Sequence, residues 1–151
     1  MSSKTLAKNR KARFEYEIQK TMEVGIVLQG TEVKSIRAGQ INLAESYCRV
    51  DDSLQVYLLN AHISQYDFGN RHNHDPLRPR RLLLHRSEIR RLYGQVKEQG
   101  LTLIPLKIYL KGGLIKMELA LGRGKKLHDK RQTMKKRDAE RDVERALSER
   151  T

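Results

Sequence analysis

The sequence predicts a mainly β protein: a small antiparallel barrel of six short strands with one or two short helices, followed by a basic C-terminal tail. Three observations predict it. Apolar residues recur with period two in short runs bounded by turn signals. Most connections between those runs are too short for the crossover that parallel pairing requires. After Gly122 the apolar residues thin out while Lys and Arg accumulate. A chain of 151 residues suffices for one domain with one core. The expected organisation is a basic, loose N-terminal arm over 1–12, a barrel over 13–122 and a tail over 123–151.

The elements follow in order. Phe14, Tyr16 and Ile18 alternate with Glu15, Glu17 and Gln19 as a first strand, and "VGIVLQG" makes a second that ends at Gly30. The period changes over "TEVKSIRAG": Thr31 can cap a short helix, with Glu32 in its first turn and Gly39 just past its end. "SYCRV" and "LQVYLLNAHI" are two further strands, and "DDS" is the turn between them. Residues 66–81, "YDFGNRHNHDPLRPRR", form a long polar loop of a length that is usually functional or mobile. In "RSEIRRLYGQVKEQG", Ile89, Leu92, Tyr93 and Val96 make one helical stripe, with Ser87 or a neighbour as cap and Gly100 as stop. Arg86, Arg90, Arg91 and Lys97 lie off that stripe. A hairpin closes the barrel. Ile104, Leu106, Ile108 and Leu110 should point one way, and Pro105, Lys107, Tyr109 and Lys111 the other. Gly112-Gly113 can take positive φ at the turn. Ile115, Met117, Leu119 and Leu121 return on the core side. Pro105 lacks a ladder donor, so its strand should be an edge or bulged there. A Greek-key barrel of the oligonucleotide-binding (OB) kind leads, ahead of an open α+β sandwich.

The tail reads differently. Residues 123–151 carry eleven Lys and Arg against six Asp and Glu, and Leu127, Met134, Val143 and Leu147 are their only large apolar side chains. Asp138–Arg141 and Asp142–Arg145 are i, i+3 pairs, each worth only ~0.2–0.5 kcal/mol. A helix this short is marginal alone. The tail should lack fixed shape when free and become helical when bound to a polyanion.

Charge narrows the partners. A net charge of +13 concentrates polyanions, nucleic acid first and anionic membrane second. The bland alternative is a merely soluble basic protein. No apolar run stands behind the basic N-terminus, so no secretory signal is expected, and no segment approaches the ~18–20 apolar residues of a membrane span. Cys48 is the single cysteine, expected in the core of a protein in a reducing cytosol. His72, His74 and Asp75 in "HNHD" hint at metal ligands, but the further spaced carboxylate and histidines of a full set are missing. His62, His85 and His128 are isolated, no serine has a positioned base, and "GRGK" at 122–125 is not a phosphate loop. No enzyme, metal or cofactor is expected. Three basic clusters are the positive finding: "KNRKAR", "RPRR" with Arg86, Arg90 and Arg91, and "RGKKLHDKR" into "MKKR". Among Tyr16, Tyr47, Tyr57, Tyr66 and Tyr109, those facing outward can stack on unpaired bases.

"NRKARFEYEI", "GIVLQGTEVKSIRAGQINL", "NAHISQY", "NRHNHDPLRPRRLLLHRSEI" and "GRGKKLHDKR" occur in that order. From about Asn9 to Leu147 the chain thereby resembles the SsrA-binding protein (SmpB) family of bacteria. The resemblance implies an OB-related barrel that binds the tRNA-like domain of transfer-messenger RNA (tmRNA) and carries it to stalled ribosomes for trans-translation. It implies a cytoplasmic monomer with no cofactor and no membrane partner. Elongation factor Tu and alanyl-tRNA synthetase would be reached through the RNA. It places RNA contacts at Asn9, Lys11, Tyr16, Glu23, Lys34, Arg37, Leu83, Lys125 and Lys126. It places contacts with the ribosomal decoding centre and messenger channel in the tail, at Asp129, Lys130, Arg131, Lys135, Lys136 and Arg137. An acid such as Glu23 in a basic site can accept from base amino or imino groups. Two departures are mild: Phe14 stands where His is common in the family, and Lys136 where an acid is common. The rival readings are a resident ribosomal protein with a basic extension and an RNA-processing enzyme using "HNHD".

Overall fold

The computed structural model describes residues 3–67 and 73–125. In chain order the elements are β1 (Ser3–Lys8), α1 (Ala12–Glu15), β2 (Tyr16–Ile26), α2 (Gly30–Arg37), β3 (Ile41–Asn42), β4 (Tyr47–Val50), β5 (Val56–Leu59), β6 (His62–Ile63), β7 (Arg80–Leu83), α3 (Arg86–Gln99), β8 (Thr102–Lys111) and β9 (Leu114–Gly124). The expected mainly β fold is present.

Six strands pair in the order β8-β4-β5-β7-β2-β9, and β9 pairs back onto β8, so the antiparallel ladder closes on itself. Closure removes the edges that an open sheet would leave for aggregation. The core inside the ring is aliphatic, as a chain without tryptophan requires: Val24, Val56, Leu58, Leu82, Leu103, Ile108, Met117, Leu119 and Leu121 are all buried. Ile36 of α2 and Ile89 and Leu92 of α3 join the same core.

The N-terminal segment is not a loose arm. Ser3–Lys8 pair with Lys107–Lys111. The reason is a vacancy in the barrel wall: β4 meets β8 only at Cys48↔Leu103, so the same edge of β8 is open further along. Unpaired edge groups recruit a strand, and the basic arm supplies it. "RFEYEIQKTMEVGI" also differs from expectation. Its start, Ala12–Glu15, is a single helical turn, and the two expected strands are one, Tyr16–Ile26, with a register shift between Ile18 and Lys20. Conversely "LQVYLLNAHI" divides into β5 and β6 at Asn60, whose φ of 59° is left-handed.

Of the edge or bulge expected at Pro105, the bulge is found, and it inverts the expected facing of Ile104 and Leu106. Pro105 opposes Leu119 and Lys107 opposes Glu118, leaving Leu106 unmatched. One extra residue reverses the alternation. Leu103 and Ile108 therefore point into the barrel, while Ile104 and Leu106 point outward into a second cluster with Ala12 and Ala120. Asn9 secures the bulge: its backbone N–H donates to Leu106 O at 2.8 Å and its Nδ2 to Pro105 O at 2.9 Å.

The turns use the expected glycines. Gly112 and Gly113 have φ of 58° and 79°, and Gly100 ends α3 at φ 64°. The helix caps shift by a residue or two. α2 begins at Gly30, and Glu32 Oε1 accepts from Gln29 N at 2.7 Å. His85, not Ser87, is the N-cap of α3, with Glu88 Oε1 accepting from His85 N at 3.3 Å. β9 runs past the expected boundary at Gly122: Gly124 pairs with Tyr16, and Lys125 N donates to Glu15 O at 2.9 Å. The expectations for the rest of the tail, including Lys126, Asp129, Lys130, Arg131, Lys135, Lys136 and Arg137, lie outside the described residues.

Candidate nucleic-acid interface

Antiparallel register places charge in rows across the barrel's outer face. Glu23 of β2 opposes Glu118 of β9, Glu118 opposes Lys107 of β8, and Lys107 opposes Lys8 of β1. Two like charges directly opposed are unfavourable unless cations intervene. Here they do: Lys111 Nζ lies 3.1 Å from Glu23 Oε2, and Lys107 Nζ 3.8 Å from Glu118 Oε2. The hydrogen bond from Lys111 holds the Glu23 carboxyl below its ordinary value. Tyr109 sits buried beside them. Burial, with Glu23 adding to it, pushes its hydroxyl up to about 12.

Glu23 also lines a groove of about 470 Å³ with Gly25, Leu83, His85, Glu88 and Lys116. Gly25 opposes Leu83, and a Cβ on Gly25 would stand 3.2 Å from Leu83 Cβ. The missing side chain lets the half-exposed Leu83 lie across β2 and form an apolar wall. The structure thus brings two expected contacts, Glu23 and Leu83, into one groove. An ionised acceptor, an apolar wall and a lysine can together distinguish a base edge from a bare phosphate.

The other expected contacts stand apart from it. Tyr16 is seven positions from Glu23 along β2, roughly 20 Å at ~3.3 Å per residue. It packs on the outer cluster of Ala12, Ile104, Leu106 and Ala120. Lys125 is at that same end, its Nζ donating to Arg13 O at 2.9 Å. Asn9 contributes to a second cavity of about 460 Å³, lined by Lys8, Arg10, Arg13, Phe14, Lys107 and Glu118 as well. Lys11 is exposed, 3.9 Å from Glu45. Lys34 lies 5.4 Å from the Tyr66 ring centre, and Arg37 is exposed at the end of α2.

One sequence reading is corrected. "RPRR" is not a free basic cluster. Arg80 is wholly buried, its Nε donating to Glu32 Oε2 at 2.6 Å and its Nη1 to Ala61 O at 2.7 Å. Arg78 Nη2 donates to Glu32 Oε1 at 2.5 Å. Only Arg81 of the three faces out. Burial alone would raise the Glu32 carboxyl, but hydrogen bonds from Arg78, Gln29 N and Arg80 outweigh it and hold it low. "HNHD", expected to fall short of a metal ligand set, has a structural role: Asp75 Oδ1 accepts from Leu77 N at 2.9 Å. His74 is 3% exposed, with Nε2 donating to Ile63 O at 2.9 Å. That leaves Nδ1 to accept from Thr31 Oγ1 at 2.8 Å. Both ring nitrogens are thus occupied in joining the loop to α2 and β6. His72 lies outside the described residues.

Sequence reasoning missed Lys111, Lys107 and Glu118 as neighbours of Glu23, and Gly25 as the floor under Leu83. The hairpin register held the signal for the first three. Nothing short of the fold could pair Gly25 with Leu83.

A closed small barrel with a basic, groove-bearing outer face and a basic C-terminal extension defines a protein of the polyanion-binding OB-like class. The SmpB protein family profile matches residues 6–149. An SsrA-binding protein of Geobacillus sp. (strain WCH70) is 57% identical over 147 residues, covering 97% of this chain and 94% of its own. One from Chloroflexus aggregans is 58% identical over 146 residues, covering 96% and 92%. A chain in a solved structure described as "tmRNA-SmpB: a journey to the center of the bacterial ribosome" is 51% identical, with a TM-score of 0.65, covering 80% of this chain and 85% of its own. The chain belongs to the SmpB, or SsrA-binding protein, family.

Proposed function

We propose that this protein binds the tRNA-like domain of tmRNA and delivers it to stalled bacterial ribosomes for trans-translation. Family membership along nearly the whole chain carries the reading. The protein works as an RNA-binding factor in the bacterial cytoplasm, with no catalytic step of its own. The barrel supplies the RNA contacts: the groove of Glu23 and Leu83, the N-terminal end with Asn9, Lys11, Tyr16 and Lys125, and the exposed cations Lys34 and Arg37. Lys126 adds to them just past β9. The tail, through Asp129, Lys130, Arg131, Lys135, Lys136 and Arg137, engages the decoding centre and messenger channel. Elongation factor Tu and alanyl-tRNA synthetase meet the protein only through the RNA.

Truncation after Lys125 tests the division. It keeps Gly124 against Tyr16 and the Lys125–Glu15 hydrogen bond, so β9 stays whole. Gel shifts with the tRNA-like RNA at two salt concentrations should match the full chain, while peptide tagging on a message lacking a stop codon should vanish. Loss of RNA affinity on truncation, or tagging that persists, would contradict the assignment of roles. Sedimentation separates it from a resident ribosomal protein: a rescue factor is substoichiometric on ribosomes and enriched on stalled ones.

A further inference from the structure

We propose that the outer face of β4, β5 and β7 is a second RNA-binding surface, on which an unpaired nucleotide stacks against Tyr57 between Arg49 and Arg81. The proposal rests on the RNA-binding reading and extends it to a face that none of the expected contacts except Leu83 touches.

The row is set by register. Arg49 opposes Tyr57, and Tyr57 opposes Arg81, across three neighbouring strands. Adjacent strands lie ~4.7–4.9 Å apart, so the two arginine backbones are about 10 Å from each other with the tyrosine midway. Alternation fixes the direction: Cys48, Val56, Leu58 and Leu82 are buried in the barrel, so their neighbours in each strand face out. Arg49 and Arg81 are exposed and Tyr57 is half-buried. Tyr47, on the same face of β4, is 50% exposed.

What distinguishes this face is uncompensated charge. Among the described residues, neither guanidinium has an ion-pair or hydrogen-bond partner. On the other face Lys107 and Lys111 are already paired with Glu118 and Glu23. The acid nearest in sequence, Asp51, spends Oδ1 on the backbone N–H groups of Ser53 and Gln55. Two free guanidiniums flanking an aromatic ring match a nucleotide's chemistry: phosphates are neutralised at either side, and the base stacks between them. Any base offers a π-face, so such a site tolerates sequence. Leu83 lies two residues beyond Arg81 on the same face of β7, so RNA leaving the Glu23 groove can cross directly onto the row.

The test uses the full chain and a single-stranded 12-nucleotide RNA carrying 2-aminopurine, whose fluorescence changes when it stacks. Tyr57→Leu should weaken oligomer binding roughly 5- to 100-fold and abolish the fluorescence change, and Tyr57→Phe should restore both. Arg49→Ala with Arg81→Ala, both exposed and safe for folding, should lower the slope of log affinity against log salt by about 1.4. An arginine double variant with the parent's affinity and salt slope overturns the surface. So does unchanged fluorescence when the parent binds, with heparin displacing the oligomer, since that marks an unspecific cationic patch. If the parent binds neither the oligomer nor the tRNA-like RNA, the RNA-binding reading itself fails. Binding of the folded RNA alone refutes only the second surface.

Discussion

Replacing Glu32 with Gln should destabilise the barrel more than any surface change. The side chain is fully buried, and its two oxygens accept from Arg78, Arg80 and Gln29 N. Gln keeps one acceptor oxygen but turns an NH₂ toward a guanidinium and leaves Arg80 buried without its counter-charge. Breaking a buried pair from one side costs about 3–5 kcal/mol. That is a large share of a total stability of about 5–15 kcal/mol. At roughly 4 °C per kcal/mol for a domain of this size, Tm should fall by about 10–20 °C. Adding Arg80→Met to Glu32→Gln should cost less than the sum of the two single changes by about 1–3 kcal/mol. The pH dependence has a definite sign. The folded state holds Glu32 below its ordinary value, so its contribution is present above the unfolded value of about 4.3 and lost as pH falls through the folded one. The gap in Tm between parent and variant should therefore narrow below about pH 4. A variant melting within about 3 °C of the parent at pH 7, or a strictly additive cycle, would refute the reasoning.

Three further outcomes follow from particular contacts. Gly122→Ala should lose about 1–3 kcal/mol in a denaturant titration, because its Cβ would stand 2.8 Å from Glu17 O and 3.1 Å from Ile104 Cδ1. Cys48 is 7% exposed and burial pushes its thiol far up, so it should resist alkylation in the native state and react at once in denaturant. Lys111→Ala removes the main influence holding Glu23 low, so the acid limb of the RNA-affinity profile should move to higher pH. An unshifted limb would mean that the charge on Glu23 is irrelevant to binding.

Periodicity made most of the barrel legible, because strands and their core faces follow directly from alternating Val, Ile, Leu and Met. It failed where one residue changes the count. Pro105 announced a bulge, yet the bulge's consequence, Ile104 and Leu106 turned outward, needs the ladder partner to be known. The "RPRR" cluster misled for a different reason. Sequence displays charge but not burial, and Glu32, 48 residues from Arg80, gives no local sign that it neutralises it. The arm was misread because a strand that completes someone else's edge needs no strong pattern of its own: Ser3, Lys4, Thr5 and Lys8 are all exposed.

The position of the tail's root constrains how the two ends of the molecule can act. β9 starts beside Lys116, in the groove with Glu23 and Leu83, and finishes eight residues later at Gly124 against Tyr16. The strand that lines the groove is therefore the strand that launches the tail, about 25 Å away at ~3.3 Å per residue. β9 is paired on both edges, to β2 and to β8, and its inner face is core. It is a rigid spacer, not a hinge. A ligand confined to the groove therefore leaves the far end of β9, at Gly124, clear. That separation requires β9 to stay intact, which makes Gly122 the sensitive point. A Cβ there presses on the backbone of Glu17 midway between Tyr16 and Ile18, the place where β2 anchors the end of the spacer. Gly122→Ala should thus weaken binding of the tRNA-like RNA through the Tyr16 and Lys125 end and impair tagging with it, while the Glu23 groove at the far end keeps its shape. A Gly122→Ala variant with the parent's RNA affinity would show that this end makes no RNA contact.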